Sequence, residues 1–152
     1  MKISIRPIQR QDEAVWRRLW AQYLAFYRKT LPEAETSCTW RRILDPASQL
    51  LGRAAVVDDG TPLGFAVCVL HEGTWSAAPT CYLEDLFVDE ANRGEGIGGA
   101  LIEDLLGLAR TLGWASVYWV TEADNAAARR LYDRFGLADG YVRYRIYTQP
   151  SR

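Results

Sequence analysis

The sequence predicts a mixed α/β (α+β) fold with the element order β-α-α-β-β-β-α-β-α-β, and three observations carry that expectation. Apolar residues recur at helical spacing in several stretches, short alternating or continuous apolar runs lie between them, and one strand-helix-strand unit spans Gly94 to Gly113. That unit requires a parallel strand pair, whereas the earlier runs are joined by short turns that suit antiparallel pairing. The expected sheet is therefore mixed and mostly antiparallel.

Met1 to Pro7 alternates apolar and polar residues and reads as the first strand. Behind Asp12, the residues Val15, Trp16, Leu19, Trp20, Tyr23, Leu24 and Tyr27 keep helical spacing, which predicts an amphipathic helix over about 11–29. Leu31-Pro32-Glu33 turns the chain into a short second helix around 36–44, and Asp45-Pro46 closes it. Leu51–Val57 and Leu63–Leu70, joined across Asp58-Asp59-Gly60-Thr61-Pro62, predict a hairpin, and Thr80–Val88 a third strand of the same meander. Strict alternation would put Tyr82, Glu84, Leu86 and Val88 on one face of that strand and Cys81, Leu83, Asp85 and Phe87 on the other. Ile97, Leu101, Leu105, Leu108 and Leu112 trace one side of a long helix that Gly113 ends. Trp114–Thr121 reads as a buried strand, about 125–135 as a helix stopped by Gly136, and Tyr141–Tyr147 as the last strand.

The chain has 152 residues, 49% of them hydrophobic, which suits one domain with a real core and leaves no room for two ordinary ones. A single domain over 1–152 is expected. Eighteen basic and nineteen acidic side chains give a net charge of -1, so the totals favour small soluble partners over nucleic acid or a membrane surface. Cys38, Cys68 and Cys81 are scattered and form no C-x-x-C pair, which argues against a disulfide framework and a zinc site. The N-terminus lacks the uninterrupted apolar stretch of a signal peptide. A cytoplasmic location and no metal are the expectations.

The richest chemical signal is Arg93-Gly94-Glu95-Gly96-Ile97-Gly98-Gly99, four glycines between a strand end and a helix start. Such a turn lets backbone N–H groups converge on an anion while the helix dipole adds partial positive charge, so phosphate binding is its natural use. A tight connection alone would need one glycine. Gly94, Gly96 and Gly99 also satisfy the G-x-G-x-x-G of dinucleotide folds, with Glu122 at about the distance of the ribose-binding acid. Context decides against an NAD-dependent oxidoreductase: Asp89–Arg93 separate the strand from the first glycine, and antiparallel strands precede the motif. No Gly-Lys-Ser/Thr follows, so it is not a P-loop.

Arg93, Gly96 and Gly98 match the Arg/Gln-x-x-Gly-x-Gly/Ala signature of the GNAT superfamily of N-acetyltransferases, which the sequence resembles through most of its length. Tyr82-Leu83-Glu84-Asp85-Leu86-Phe87-Val88 is similar to that family's central strand, and Asn125 with Leu131-Tyr132-Asp133-Arg134-Phe135-Gly136 to its closing motif. The Leu-Glu-Asp triplet and Ser116-Val117-Tyr118-Trp119 resemble the branch acting on polyamines, histones and free amino acids. Glu90 stands where many relatives have proline, and Leu137 where phenylalanine is usual.

The resemblance implies helices on both faces of the sheet and acetyl-CoA as cosubstrate, with the glycine turn on its pyrophosphate. Backbone groups of Leu86, Phe87 and Val88 would take the pantetheine and thioester where two strands splay. It implies direct attack by a primary amine in a ternary complex. An alkylammonium is almost wholly protonated at neutral pH, so a base must act first. Glu84 matches the acid that relatives use, through water, and Asp85 reads equally well as an ordinary paired acid. Tyr132 would protonate the leaving thiolate, and Asn125, seven residues earlier, would face the cofactor beside it. A covalent route through Cys81 or Cys68 is the mechanistic alternative. His71, the only histidine, has no acid or nucleophile in motif spacing and reads as a surface residue.

Tyr23, Tyr27 and Trp40 are the candidate walls of the acceptor pocket, with Trp16 and Trp20 as core. Glu33, Glu35, Glu122 and Asp124 would make its entrance acidic, although solvated helix ends explain them as well. A small or polyamine-like amine is the first expected acceptor, a free amino acid or peptide lysine the second. A non-catalytic acyl-CoA-binding domain is the reading from another class. Members of this branch are often dimers, and the Tyr141, Tyr144 and Tyr147 strand is a candidate to pair across subunits.

Overall fold

The computed structural model describes residues 1–150 and divides the chain into two compact units, Met1–Trp119 and Val120–Arg152. The first unit holds β1 (Ser4–Pro7), α1 (Glu13–Phe26), α2 (Glu33–Leu44), β2 (Leu50–Val56), β3 (Pro62–His71), β4 (Thr80–Val88), α3 (Ile97–Leu112) and β5 (Ser116–Tyr118). Its five strands lie in the order β1-β2-β3-β4-β5. The first three pairings are antiparallel and β4–β5 is parallel, as the strand-helix-strand unit requires.

Helices cover both faces. On one, α1 and α2 set Trp16, Leu19, Trp20, Trp40 and Ile43 against Ala54, Val56, Phe65, Val67 and Phe87. The rings form a connected series: Trp40 and Trp20 each lie 5.1 Å from Trp16, Trp20 lies 5.3 Å from Tyr23, and Tyr23 lies 5.1 Å from Tyr27. On the other face α3 buries Ile97, Leu101, Ile102 and Leu105. Alternation along β2 sends Arg53 to that side, where its guanidinium donates to both carboxylate oxygens of Asp104 at 2.7 and 2.9 Å. This bidentate pair ties α3 to the sheet through charge-assisted bonds.

Gly64 admits α3 closely. A Cβ there would stand 2.8 Å from the Phe87 carbonyl oxygen and 3.3 Å from Ile97 Cγ2, so the first side chain of α3 rests where any larger residue would displace it. Asp12 secures the entry to α1: it accepts two bonds from Arg6 and one from the Gln9 amide. Burial pushes its carboxyl up, but those donors outweigh it and hold the group below the ordinary carboxylate range.

Several boundaries depart from expectation. The first helix is shorter, preceded by a single tight turn over Arg10–Asp12, and the second begins earlier, directly after Pro32. The strand expected over Trp114–Thr121 shrinks to Ser116–Tyr118, of which only Val117 is partly covered.

The second unit contains α4 (Ala126–Tyr132), capped by the Asn125 side chain, which accepts from the Ala128 amide at 3.2 Å. The chain then closes through bonds from the Phe135 and Gly136 amides to the Tyr132 carbonyl, at 2.9 and 3.3 Å. The strand expected over Tyr141–Tyr147 is not formed among the described residues. Among the described residues, no helix is long and apolar enough to cross a membrane.

The tryptophan cluster is the main support of the α1 and α2 face. Trp16→Ala should lower unfolding free energy by about 3–5 kcal/mol, read from chemical denaturation. A loss under about 1 kcal/mol would show that the rings are not jointly packed.

Candidate active site

Between β4 and α3 the chain makes a tight turn over Glu90–Asn92 and then the glycine turn. Asp89 starts it, accepting from the Ala91 amide at 3.2 Å and from Arg18 of α1 at 2.9 Å. Gly94 and Gly96 have φ of 83° and 79°, in the left-handed region that only glycine enters without strain. The first bond of the α3 ladder runs from the Ala100 amide to the Gly96 carbonyl, at 3.0 Å. The amides of Ile97, Gly98 and Gly99 thus precede the ladder at the positive end of a sixteen-residue helix. Glu95 is exposed, while the Ile97 side chain is buried and anchors the turn. Arg93 folds back toward the sheet, its guanidinium 5.3 Å from the Phe87 ring centre and 5.6 Å from that of Phe26. The turn thus sets three backbone amides at the positive end of α3, the arrangement an anion would need, and its arginine braces it.

Two features of β4 shape what lies beside this turn. Pairing with β5 stops at Tyr82 opposite Tyr118, while β4 continues to Val88. Leu86, Phe87 and Val88 therefore lie beyond the parting of the two strands, and their pairing is with β3. The second feature is a bulge: Val67 pairs with Asp85 but Cys68 pairs with Leu83, so Glu84 is an extra residue. The bulge overturns the strict alternation expected for β4. Asp85 and Phe87 face α1, with Phe65 and Val67, whereas Leu83 and Cys81 pair with Cys68 and Leu70 on the α3 face.

Glu84 is exposed at the bulge, and Asp85 is buried beside it. The Tyr23 hydroxyl donates to Asp85 Oδ1 at 2.6 Å. Burial pushes the Asp85 carboxyl up to about 7; the Tyr23 bond opposes this and the charge of Glu84 adds to it. Burial also raises Tyr23, reinforced by Asp85. Tyr27 packs edge-on against Tyr23, so two of the three expected acceptor walls stand together. The third does not join them. Trp40 is 5% exposed and packs on Trp16, at the far end of the ring series, so its role is core packing.

On the same face, past the bulge, Tyr82 stacks on Tyr118 with ring centres 5.0 Å apart. His71 Nε2 lies 2.8 Å from the Tyr118 hydroxyl, and its Nδ1 lies 2.8 Å from the Glu72 carbonyl oxygen. The sequence reading left His71 without a partner; the hairpin register supplies one, since β3 and β5 both flank β4. Cys68 and Cys81 are buried on the α3 face, with burial and the neighbouring thiol raising Cys68. Among the described residues, no group of three or more His, Cys, Asp or Glu forms a candidate metal site.

In the second unit, Asn125 and Tyr132 bound α4 at its two ends. Asn125 is the cap and not a helical residue, so the expected shared helical face gives way to a capping role for its side-chain oxygen. Glu122 sits in the turn ahead of it, its carbonyl accepting from the Asn125 amide at 3.0 Å.

The geometry combines an anion cradle, a strand edge left by a parting parallel pair, and a carboxylate- and tyrosine-lined face, and the chain's similarities point the same way. The model of the acetyltransferase (GNAT) family matches residues 13–137. D-amino-acid N-acetyltransferase HPA3 of Saccharomyces cerevisiae is 33% identical over 145 residues, 95% of this chain and 90% of that protein. Among solved structures, a ribosomal-protein-alanine N-acetyltransferase from Brucella melitensis superposes with a TM-score of 0.79 at 20% identity, covering 97% of this chain and 99% of that one. AAC(6')-Iy, in complex with the bisubstrate analog CoA-S-monomethyl-acetylneamine, superposes with a TM-score of 0.80 at 21% identity, covering 99% and 100%. The turn, the parted strands and the family match together identify this chain as a member of the GNAT family of N-acetyltransferases.

Proposed function

We propose that the chain works as one catalytic domain in the cytoplasm, transferring the acetyl group of acetyl-CoA directly to the primary amine of a small molecule. The observation that carries this reading is the glycine turn, with Gly94 and Gly96 in left-handed conformation and three amides ahead of the α3 ladder. Backbone amides of residues 94–99 would hold the pyrophosphate, and those of Leu86, Phe87 and Val88 the pantetheine arm. Acetyl-CoA supplies the activated acyl group. Glu84 would take the first proton from the acceptor's ammonium, Tyr132 would return one to the departing sulfur, and Asn125 would help seat the cofactor.

Free amino acids are the first acceptors to assay, because the relative with 33% identity is named for D-amino acids. Polyamine-like amines are the second reading, favoured by adjacent Glu84 and Asp85 among Tyr23 and Tyr27. A thiol-release assay with acetyl-CoA over both classes should find turnover, and Tyr132→Phe and Glu84→Gln should each cut kcat by about ten-fold or more without changing acetyl-CoA affinity. Acetyl-CoA binding without turnover on any amine would instead indicate a non-catalytic acyl-CoA-binding domain. Preferential binding of NAD would overturn the reading.

The Asp85 carboxyl, raised to about 7 in the folded chain, binds a proton there that it loses near its ordinary value in the unfolded chain. Its contribution to stability is therefore greatest at acid pH and is lost as pH rises through about 7. Thermal unfolding between pH 5 and 8 should show Asp85→Asn abolishing part of the wild-type decline, and parallel curves would exclude Asp85 as its source.

We also propose a homodimer, with the aromatic 141–147 segment as the candidate to pair across subunits. Light scattering should give twice the chain mass. A monomer mass at all concentrations would refute it.

A further inference from the structure

Acetylating an ammonium removes two protons from nitrogen, because RNH₃⁺ becomes the amide N–H. One is balanced by the sulfur, which leaves as a thiol, and the other must reach solvent. The proposed function assigns a first acceptor, Glu84, and a donor to sulfur, Tyr132. It leaves unassigned the group that faces the nitrogen when it sheds its second proton as the N–C bond forms and the C–S bond breaks.

The sheet places one candidate where β4 and β5 part. Tyr82 and Tyr118 form the last residue pair before the strands separate, and their rings stack. Val69 opposes Tyr82, and it lies two residues from Val67, whose side chain packs in the α1-side core. Residues 67, 69 and 71 alternate onto one face, which puts His71, Tyr82 and Tyr118 on the same side as Asp85 and Tyr23. Along β4 the bulge at Glu84 separates Asp85, which meets Tyr23, from Tyr82, which stacks on Tyr118.

The hydrogen bonds of His71 fix the direction of the Tyr118 proton. Nδ1 faces a carbonyl oxygen, which can only accept, so Nδ1 carries the hydrogen of the neutral ring. Nε2 is then bare, and the Tyr118 hydroxyl donates to it at 2.8 Å. With its proton committed to His71, the Tyr118 oxygen turns its lone pairs outward and offers an acceptor alone. Burial, then Cys81 and Glu84, raise the Tyr118 hydroxyl.

We infer that Tyr118, with His71 behind it, is a further catalytic residue of the acetyl transfer: its oxygen accepts a hydrogen bond from the acceptor amine and receives the second nitrogen proton as its own passes to His71 Nε2. The imidazolium so formed releases a proton to solvent and the pair resets. This rests on the acetyltransferase reading given above.

The test compares wild type, Tyr118→Phe, His71→Ala, His71→Gln and the Tyr118→Phe/His71→Ala double variant in the thiol-release assay, using whichever amine the wild type acetylates best. Calorimetry with acetyl-CoA serves as the control for an intact fold and donor site. Tyr118→Phe and His71→Ala should each reduce kcat/KM for the amine by about ten-fold or more while acetyl-CoA affinity stays within about two-fold. His71→Gln, whose amide oxygen accepts the hydrogen bond but cannot take up the proton, should lose as much turnover as His71→Ala, and the double variant should be no worse than Tyr118→Phe alone. Amine kcat/KM within about two-fold of wild type in Tyr118→Phe, additive losses in the double variant, or turnover in His71→Gln restored toward wild type would overturn the inference. A wild type that binds acetyl-CoA but acetylates no amine would overturn the proposed function with it.

Discussion

Between Val67 and Cys68 of β3, β4 carries one residue more than its partner, and the layout of the site follows from that surplus. A regular strand would send Asp85 to the same face as Leu83 and Cys81, beneath α3. The bulge reverses the alternation, so Asp85 meets Tyr23 of α1 while Leu83 and Cys81 still pack under α3. It also leaves Glu84 exposed between the two tyrosine-bearing halves of the face. One inserted residue thereby lets the strand fill both cores, with one acid buried against Tyr23 and its neighbour left exposed.

The surplus matters because β4 loses its outer neighbour at the same place. Beyond the Tyr82–Tyr118 pair the strand keeps its β3 ladder, and α3 begins beside its end at Ile97, set against Gly64. Parting of a parallel pair costs ladder bonds unless another backbone or water takes them. Under the proposed function those groups would hold an extended cosubstrate, and the glycine turn lies at the end of the same edge.

Much of this was legible in the sequence. The glycine spacing, the helix stripes and the strand-helix-strand unit led to the first five strands of the mixed sheet, though not to the absence of the last expected strand among the described residues, and Gly113 ends α3 in the left-handed conformation as expected. Three things were not legible. A bulge leaves no periodic trace beyond two adjacent acids in an apolar strand, and alternation assigned their faces as if the strand were regular. The His71–Tyr118 contact depends on register across three strands, which no local spacing encodes. Trp40 read as a pocket wall because aromatics at helical positions look alike whether they line a cavity or a core; its burial against Trp16 decided between them. The family resemblance, carried by Arg93, Gly96, Gly98 and the Leu-Glu-Asp triplet, reached further than periodicity, but it could not tell which acid the fold would bury.

The Arg53–Asp104 clasp and the Gly64–Ile97 contact both fasten α3 to one face of the sheet, while the tyrosines and Asp85 project from the other. The sheet is thus a partition between two kinds of tenant. Under the proposed acetyl transfer, drift in α1, or in the β3 and β5 side chains on that face, would redraw which amines are welcome without loosening the helix that follows the glycine turn. A scaffold divided in this way can diversify its clientele one wall at a time, its donor side left standing.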